Sequence, residues 1–164
     1  MINALKYAHL LTMAIWIGSM VFFSFIAAPA IFKTFDRKTA GEIVGAIFPK
    51  YFLLEEVAVA LALVTLGLLG SKIGFTGGVK AALAILAVMG GLVFYSGMVN
   101  GPQARSVKAE IYGGTASEER LGELKEAFKK LHGVSMGVNM TTLLLGLVVL
   151  YLAIGYLAAP VRIE

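Results

Sequence analysis

The chain predicts an all-α integral membrane bundle of four transmembrane helices. Three observations carry that expectation. Hydrophobic residues make up 59% of the sequence and charged residues 15%, against roughly 25% charged in soluble domains. The apolar residues gather in four stretches, near 8–32, 52–71, 79–99 and 133–159, each meeting the ~20 residues needed to cross a hydrocarbon core. What lies between them is too short for a second domain, so residues 1–164 read as one membrane domain with spans near 5–32, 51–71, 79–100 and 131–158.

The first span follows Lys6 and stays uncharged from Tyr7 to Phe32. That run exceeds the roughly 7–15 apolar residues of a secretory leader, so it reads as a retained span despite its small-residue Ala28-Pro29-Ala30. In the loop after it, Thr39-Ala40-Gly41-Glu42 fits a capping box. Ala40, Ile43, Val44, Ile47 and Phe48 follow at helical spacing, predicting a short helix in the headgroup plane. The second span opens on the adjacent carboxylates Glu55 and Glu56.

Pro102 caps an expected cytoplasmic extension of the third span, and a break is expected at Gly113-Gly114. A second capping box, Thr115 to Glu118, then starts a helix whose Leu121, Leu124, Phe128 and Leu131 run as a stripe into the fourth span. Gly133/Gly137, Gly97/Gly101 and Gly90-Gly91 supply small residues for close helix contact.

Lysine and arginine set the expected orientation. Lys6, Lys72, Lys80 and Arg162 lie on one side; the other ten basic residues lie in the first and third loops. The positive-inside rule then puts those loops in the cytoplasm and both termini outside. The same asymmetry assigns the net charge of +4 to the lipid bilayer rather than to nucleic acid. Without cysteine, disulfides, thiolate ligands and cysteine nucleophiles are excluded, and no nucleotide-binding or hydrolase signature is present.

An ionisable side chain inside a span marks a functional site by default. Glu55, Glu56, Asn100, Ser135, Asn139 and His132 are all expected in the inner half, with Ser24, Tyr95, Ser96 and Met136 at similar depth and Arg105 guarding the entrance. Carboxylates and an imidazole at one level suit a cation, a transferable proton or a polar solute. His132, Glu55 and Glu56 are the candidate metal donors. The competing structural reading pairs one glutamate with His132 or with Lys129/Lys130 while the other reaches the interface. Successive helical residues diverge by ~100°, so only one of Glu55 and Glu56 is expected to face the bundle centre. His9, Met13, Trp16 and Met20 form a stripe on the first span, where His9 and Met13 suit a soft metal and methionine equally suits core packing. His9 and His132 are expected roughly 30 Å apart in depth, so they do not share one iron.

From His9 through Gly18, Phe25, Lys33, Arg37 and Gly41 to Phe48-Pro49-Lys50-Tyr51-Phe52, and again at Asn100–Arg105, Phe128, His132-Gly133, Ser135 and Asn139, the chain resembles the transmembrane protein 205-like family of four-span proteins. Human members are associated with resistance to platinum drugs. The resemblance therefore implies export or sequestration of soft-metal or sulfur-containing compounds, with a third loop shorter here than in the human relative. The opening His9, Trp16 and Gly18 are also similar to copper-resistance D and protoporphyrinogen-oxidase-like membrane proteins, some of which bind haem. The leading expectation is thus transport or binding of a cation, a soft metal or a metal complex, by a homo-oligomer. A haem-dependent oxidoreductase using one histidine and Met13 or Met136, and a non-catalytic scaffold acting through residues 115–131, are the alternatives.

Overall fold

A computed structural model describes residues 2–159, in which four long helices are joined by tight links. We number them α1 (Ile2–Thr34), α2 (Arg37–Ile73), α3 (Gly77–Tyr112) and α4 (Glu118–Ala158). Each is long and apolar enough to cross a membrane. At 1.5 Å per residue, 33 to 41 residues span about 50–60 Å, well beyond a hydrocarbon core of ~30 Å. The helices pack in chain order and α4 returns to α1, closing an up-down-up-down ring. Both described chain ends and the 74–76 link share one end of the ring. Lys6 Nζ donates there to the Leu157 carbonyl near the end of α4.

Apolar side chains fill the axis. Met13, Trp16, Met20, Leu66, Leu86, Met89 and Val149 are fully buried, while Leu53, Val64, Leu144 and Ile154 face outward, as expected of a lipid-facing surface. Gly90 and Gly146 let neighbours close in: a Cβ at either would meet Val59 or Ile17 at 3.2 Å.

The loop-one helix forms, but not as a separate piece in the headgroup plane. It is the start of α2, which runs unbroken through Pro49. Proline removes one helical hydrogen bond, and the turn is held by rings on either side of it, with Phe48 stacked on Phe52 at 5.5 Å. Nor is Thr39 the cap. Asp36 accepts from the backbone N–H groups of Lys38 and Thr39 and from the Thr39 hydroxyl. A carboxylate satisfies more of the free amides of a first turn than a hydroxyl does. Likewise Ser117 caps α4 through the Arg120 amide at 3.3 Å, two residues after Thr115. The break falls where expected, with Gly114 at φ +74°. Beyond it α4 is continuous and buries Leu124 on its inward stripe.

Two features were not foreseen. Residues Phe23–Ala27 of α1 and Ser96–Asn100 of α3 form π-helical turns. In each, the amide that follows the turn reaches back five residues, Ala28 to Phe23 and Gly101 to Ser96. A proline stands two residues past each turn, Pro29 and Pro102. Proline clashes with the carbonyl four residues before it, and a widened turn relieves that clash. π-Turns often accompany functional sites, and these two carry Ser24 and Asn100.

Candidate functional site

Inside the ring, polar groups form two separate sets. The first is at the end that holds the chain termini. His9 is fully buried, with Nδ1 2.8 Å from the Thr65 hydroxyl and Nε2 2.9 Å from that of Tyr156. Thr65 donates its own proton to the Leu61 carbonyl at 2.6 Å. It therefore accepts from His9 Nδ1–H, and Tyr156 donates to Nε2. Both imidazole nitrogens are committed, and three helices are tied together.

The second set surrounds the π-turns. Tyr51 donates to Asn139 Oδ1 at 2.9 Å, and Asn139 Nδ2 donates to Ser24 Oγ at 2.9 Å. One turn along α4, Asn100 Nδ2 donates to Ser135 Oγ at 2.6 Å and to the Leu131 carbonyl at 3.1 Å. Two neutral hydrogen-bonded sets, one joining α1, α2 and α4 and the other α3 and α4, thus stand one turn apart on α4. Glu55 lies one turn beyond Tyr51 on α2, beside the Tyr51 hydroxyl and the Trp16 indole.

Glu55 is only 3% exposed. Among the described residues its Oε1 has no hydrogen-bond partner, and neither do Trp16 Nε1 and Asn100 Oδ1. No lysine, arginine or histidine described here forms an ion pair with it. A buried polar atom left unpaired costs about 1–3 kcal/mol; the Trp16 indole stands beside Glu55, while Asn100 lies about two turns away toward the basic end, level with Ser135.

The neighbouring glutamates do diverge. Glu56 is half-buried at the seam between α2 and α3, where its Oε1 lies 2.7 Å from the place a Cβ would take on Gly97. Gly97 is inside the second π-turn, so the small residue makes room for this carboxylate.

His132 is exposed, stacked parallel on Phe128 at 6.2 Å; it does not join Glu55. Met136 is also exposed, at 59%, whereas Ser135 and Asn139 turn inward. The spacing of His132, Ser135, Met136 and Asn139 predicts one helical face, but the four fall on two faces of α4. Arg105 is exposed near Gly101. Met13 is packed in the core beside Trp16. The two histidines are 24 residues' rise apart when measured along α4 from Tyr156 to His132, about 36 Å.

Among the described residues no three His, Cys, Asp or Glu side chains converge as a metal-binding group would require. The haem alternative fits His9 poorly for a stronger reason. Its Nδ1 carries the proton and its Nε2 lone pair accepts from Tyr156, so no lone pair is left for iron. Depth counted along the spans singles out Glu55, Asn100, Ser135 and Asn139 as candidates, but not Tyr51 and Trp16 as the neighbours that two of them have here. The only signal for the π-turns was the pair of prolines.

The family model that matches this chain, described as a domain of unknown function (DUF4149), covers residues 11–113. That stretch contains Trp16, Tyr51, Glu55, Glu56 and Asn100. A relative from Aquifex aeolicus (strain VF5), printed as an uncharacterized protein, is 33% identical over 135 residues, covering 82% of this chain and 86% of its own. No solved structure matches. This four-helix, multi-pass membrane protein belongs to the DUF4149 family.

Proposed function

We propose that the protein binds a small solute within the membrane and moves it in exchange for protons, with Glu55 as the exchanging group. The observation that carries this reading is a carboxyl group 3% exposed, within a span, with one oxygen unpartnered. Burying a lone carboxylate costs several kcal/mol. This packing accommodates the neutral acid, and a charged solute that arrives would take the proton's place. Tyr51, Asn139 and Ser24 position the carboxyl's surroundings, and Asn100 offers an acceptor about two turns nearer the basic end. Glu56, half-buried at the α2–α3 seam, stands on the way in. Arg105 and His132 belong to the periphery of this reading, and Ser135 acts through Asn100.

The core is packed through Trp16, Met13 and Met20 between Glu55 and His9, which leaves no open path along the axis. Passage therefore involves helix movement or a second copy of the chain. A homo-oligomer suits the exposed Gly133/Gly137 edge of α4, where an added Cβ would meet no atom of the described residues within 4 Å. The excess of basic residues at the end opposite the chain termini supports a cytoplasmic placement of that end. The kinship to transmembrane protein 205-like proteins is part of the same proposal. A soft-metal cargo is the weaker form of it, since the thioethers of Met13 and Met20 are packed in the core.

Trp16 is the chain's one tryptophan, and it abuts Glu55. Intrinsic fluorescence followed against pH therefore reports on that carboxyl. The wild type is expected to show a single titration that Glu55→Gln abolishes. In liposomes holding a trapped pH indicator, the same substitution is expected to slow proton flux. Identical titrations in both proteins, with unchanged flux, would overturn the assignment.

A further inference from the structure

We propose that the solute exchanged at Glu55 is a hydrophobic organic cation. This rests on the reading of Glu55 as the exchanging group and specifies what competes with the proton. Three features of the site point to it.

The orphaned oxygens are acceptors. Glu55 Oε1 and, about two turns nearer the basic end, Asn100 Oδ1 lack hydrogen-bond partners among the described residues, and no lysine, arginine or histidine described here is ion-paired with Glu55. The solute must therefore be positive or rich in donors.

The approach is aromatic. Phe48, Tyr51 and Phe52 occupy the two turns of α2 before Glu55, and Phe23 of α1 closes over them. Ring centroids lie 5.0 Å apart for Phe23–Tyr51 and 5.5 Å for both Phe23–Phe48 and Phe48–Phe52. Rings attract a cation through their faces, by about 2 kcal/mol or more where water is excluded. They offer nothing to replace the water shell of a small metal ion, and no third carboxylate or imidazole converges to do so. A cation that carries its own apolar surface suffers neither loss.

The basic end would repel a cation arriving from water, but the α2–α3 seam lies between exposed apolar side chains of both helices, Leu53 and Met98 among them. Glu56 stands in that seam beside Gly97, flanked by the outward-facing Tyr95 and Met98. A hydrophobic cation already dissolved in the bilayer meets Glu56 there, one residue from Glu55. The titratable groups acting on Glu55 are Tyr51 and Glu56, both on its own helix. α1 contributes the indole of Trp16, while α3 and α4 contribute the neutral Ser96, Asn100 and Asn139 to this layer. Arg105 of α3, whose guanidinium lies 3.3 Å from the place a Cβ would take on Gly101, beside Phe52, is a fixed cation at the basic-end edge of this approach.

The test uses the full chain in mild detergent with tetraphenylphosphonium as probe. Calorimetry in two buffers of different protonation enthalpy counts the protons released. We expect one proton released for each cation bound, and affinity falling about tenfold per pH unit on the acid side of the Glu55 titration. Glu55→Gln is expected to lose binding while remaining helical and monodisperse. Glu55→Asp should retain weakened binding, and Glu56→Gln should weaken it less than Glu55→Gln does. Binding without proton release, or binding that survives in Glu55→Gln, overturns the proposal. If the probe does not bind but Trp16 fluorescence still titrates through Glu55, the solute class is wrong and proton exchange stands. If that titration is also missing, both fall.

Discussion

His9 and Tyr156 are separated by 147 residues and joined by 2.9 Å. The phenol donates to the imidazole nitrogen that faces it, and the other nitrogen donates to Thr65. This pairing closes the ring of helices, because it links the first span to the last and both to the second.

Removing the phenol oxygen tests that closure. Tyr156→Phe leaves His9 Nε2 buried without a donor. The expected destabilisation is roughly 0.6–2 kcal/mol, the range of hydrogen bonds between helices in membranes. Thermal unfolding in detergent measures it. A double-mutant cycle with Thr65→Ala should show coupling, since both partners set the same tautomer.

Glycine substitutions should separate the two kinds of close contact in α3. An added Cβ on Gly101 would lie 2.8 Å from the Ser96 carbonyl, which is backbone. Gly101→Ala is therefore expected to cost ~1–3 kcal/mol. On Gly97 it would lie 2.7 Å from Glu56 Oε1, a side-chain end that swings away, and Gly97→Ala combined with Glu56→Ala should recover most of any loss. Gly91 has nothing within 4 Å, so Gly91→Ala should be neutral or stabilise by up to ~1 kcal/mol through helix propensity. Unfolding midpoints of the four proteins check this order.

At Glu55, function and stability should run in opposite directions. Glu55→Gln removes the buried acid while keeping its shape, and is expected to leave the unfolding temperature unchanged or higher. Glu55→Lys should destabilise by ~3 kcal/mol or more, because it buries a charge in the core while the neighbouring Glu56 is turned to the α2–α3 seam. A marked loss of stability in Glu55→Gln would recast Glu55 as a structural group.

The fold was legible because its signal is crude. Four long apolar runs decide a membrane bundle whatever the details, and the inward stripe of Leu121, Leu124, Phe128 and Leu131 is a matter of spacing alone. The site was legible by depth but not by direction. Counting residues placed His132 level with Asn100 and Ser135, yet it turns outward onto Phe128 while Ser135 turns inward. Helix rotation is set by packing against neighbours, which no single segment encodes. The caps were misplaced for a local reason: Asp36 stands three residues before Thr39 and Ser117 two residues after Thr115, and geometry selects among adjacent candidates. Trp16 was visible as part of a stripe, but its neighbour Glu55 comes from another helix.

At the start of α2, a pH effect is expected. Hydrogen bonds from Thr39 and Lys38 hold the Asp36 carboxyl below its ordinary range. A depressed carboxyl stabilises the folded cap above its unfolded value of about 3.9, and that contribution disappears as pH falls through the lower folded value. Amide protection at Lys38 and Thr39 should therefore weaken in strong acid and stay flat between pH ~5 and 8. Asp36→Asn keeps a capping oxygen and should remove the acid dependence. Hydrogen exchange read residue by residue distinguishes the two.

A π-turn is, in effect, one residue too many for its helix. Deleting a single residue from Phe23–Ala27 or Ser96–Asn100 would restore an ordinary helix and turn everything beyond it by ~100°. The membrane would still be crossed and hydropathy would hardly change, yet Ser24 or Asn100 would lose its place in the ring. Chain length at these two places is thus a form of information in its own right. A relative one residue shorter at either turn would share the architecture and carry a differently wired interior.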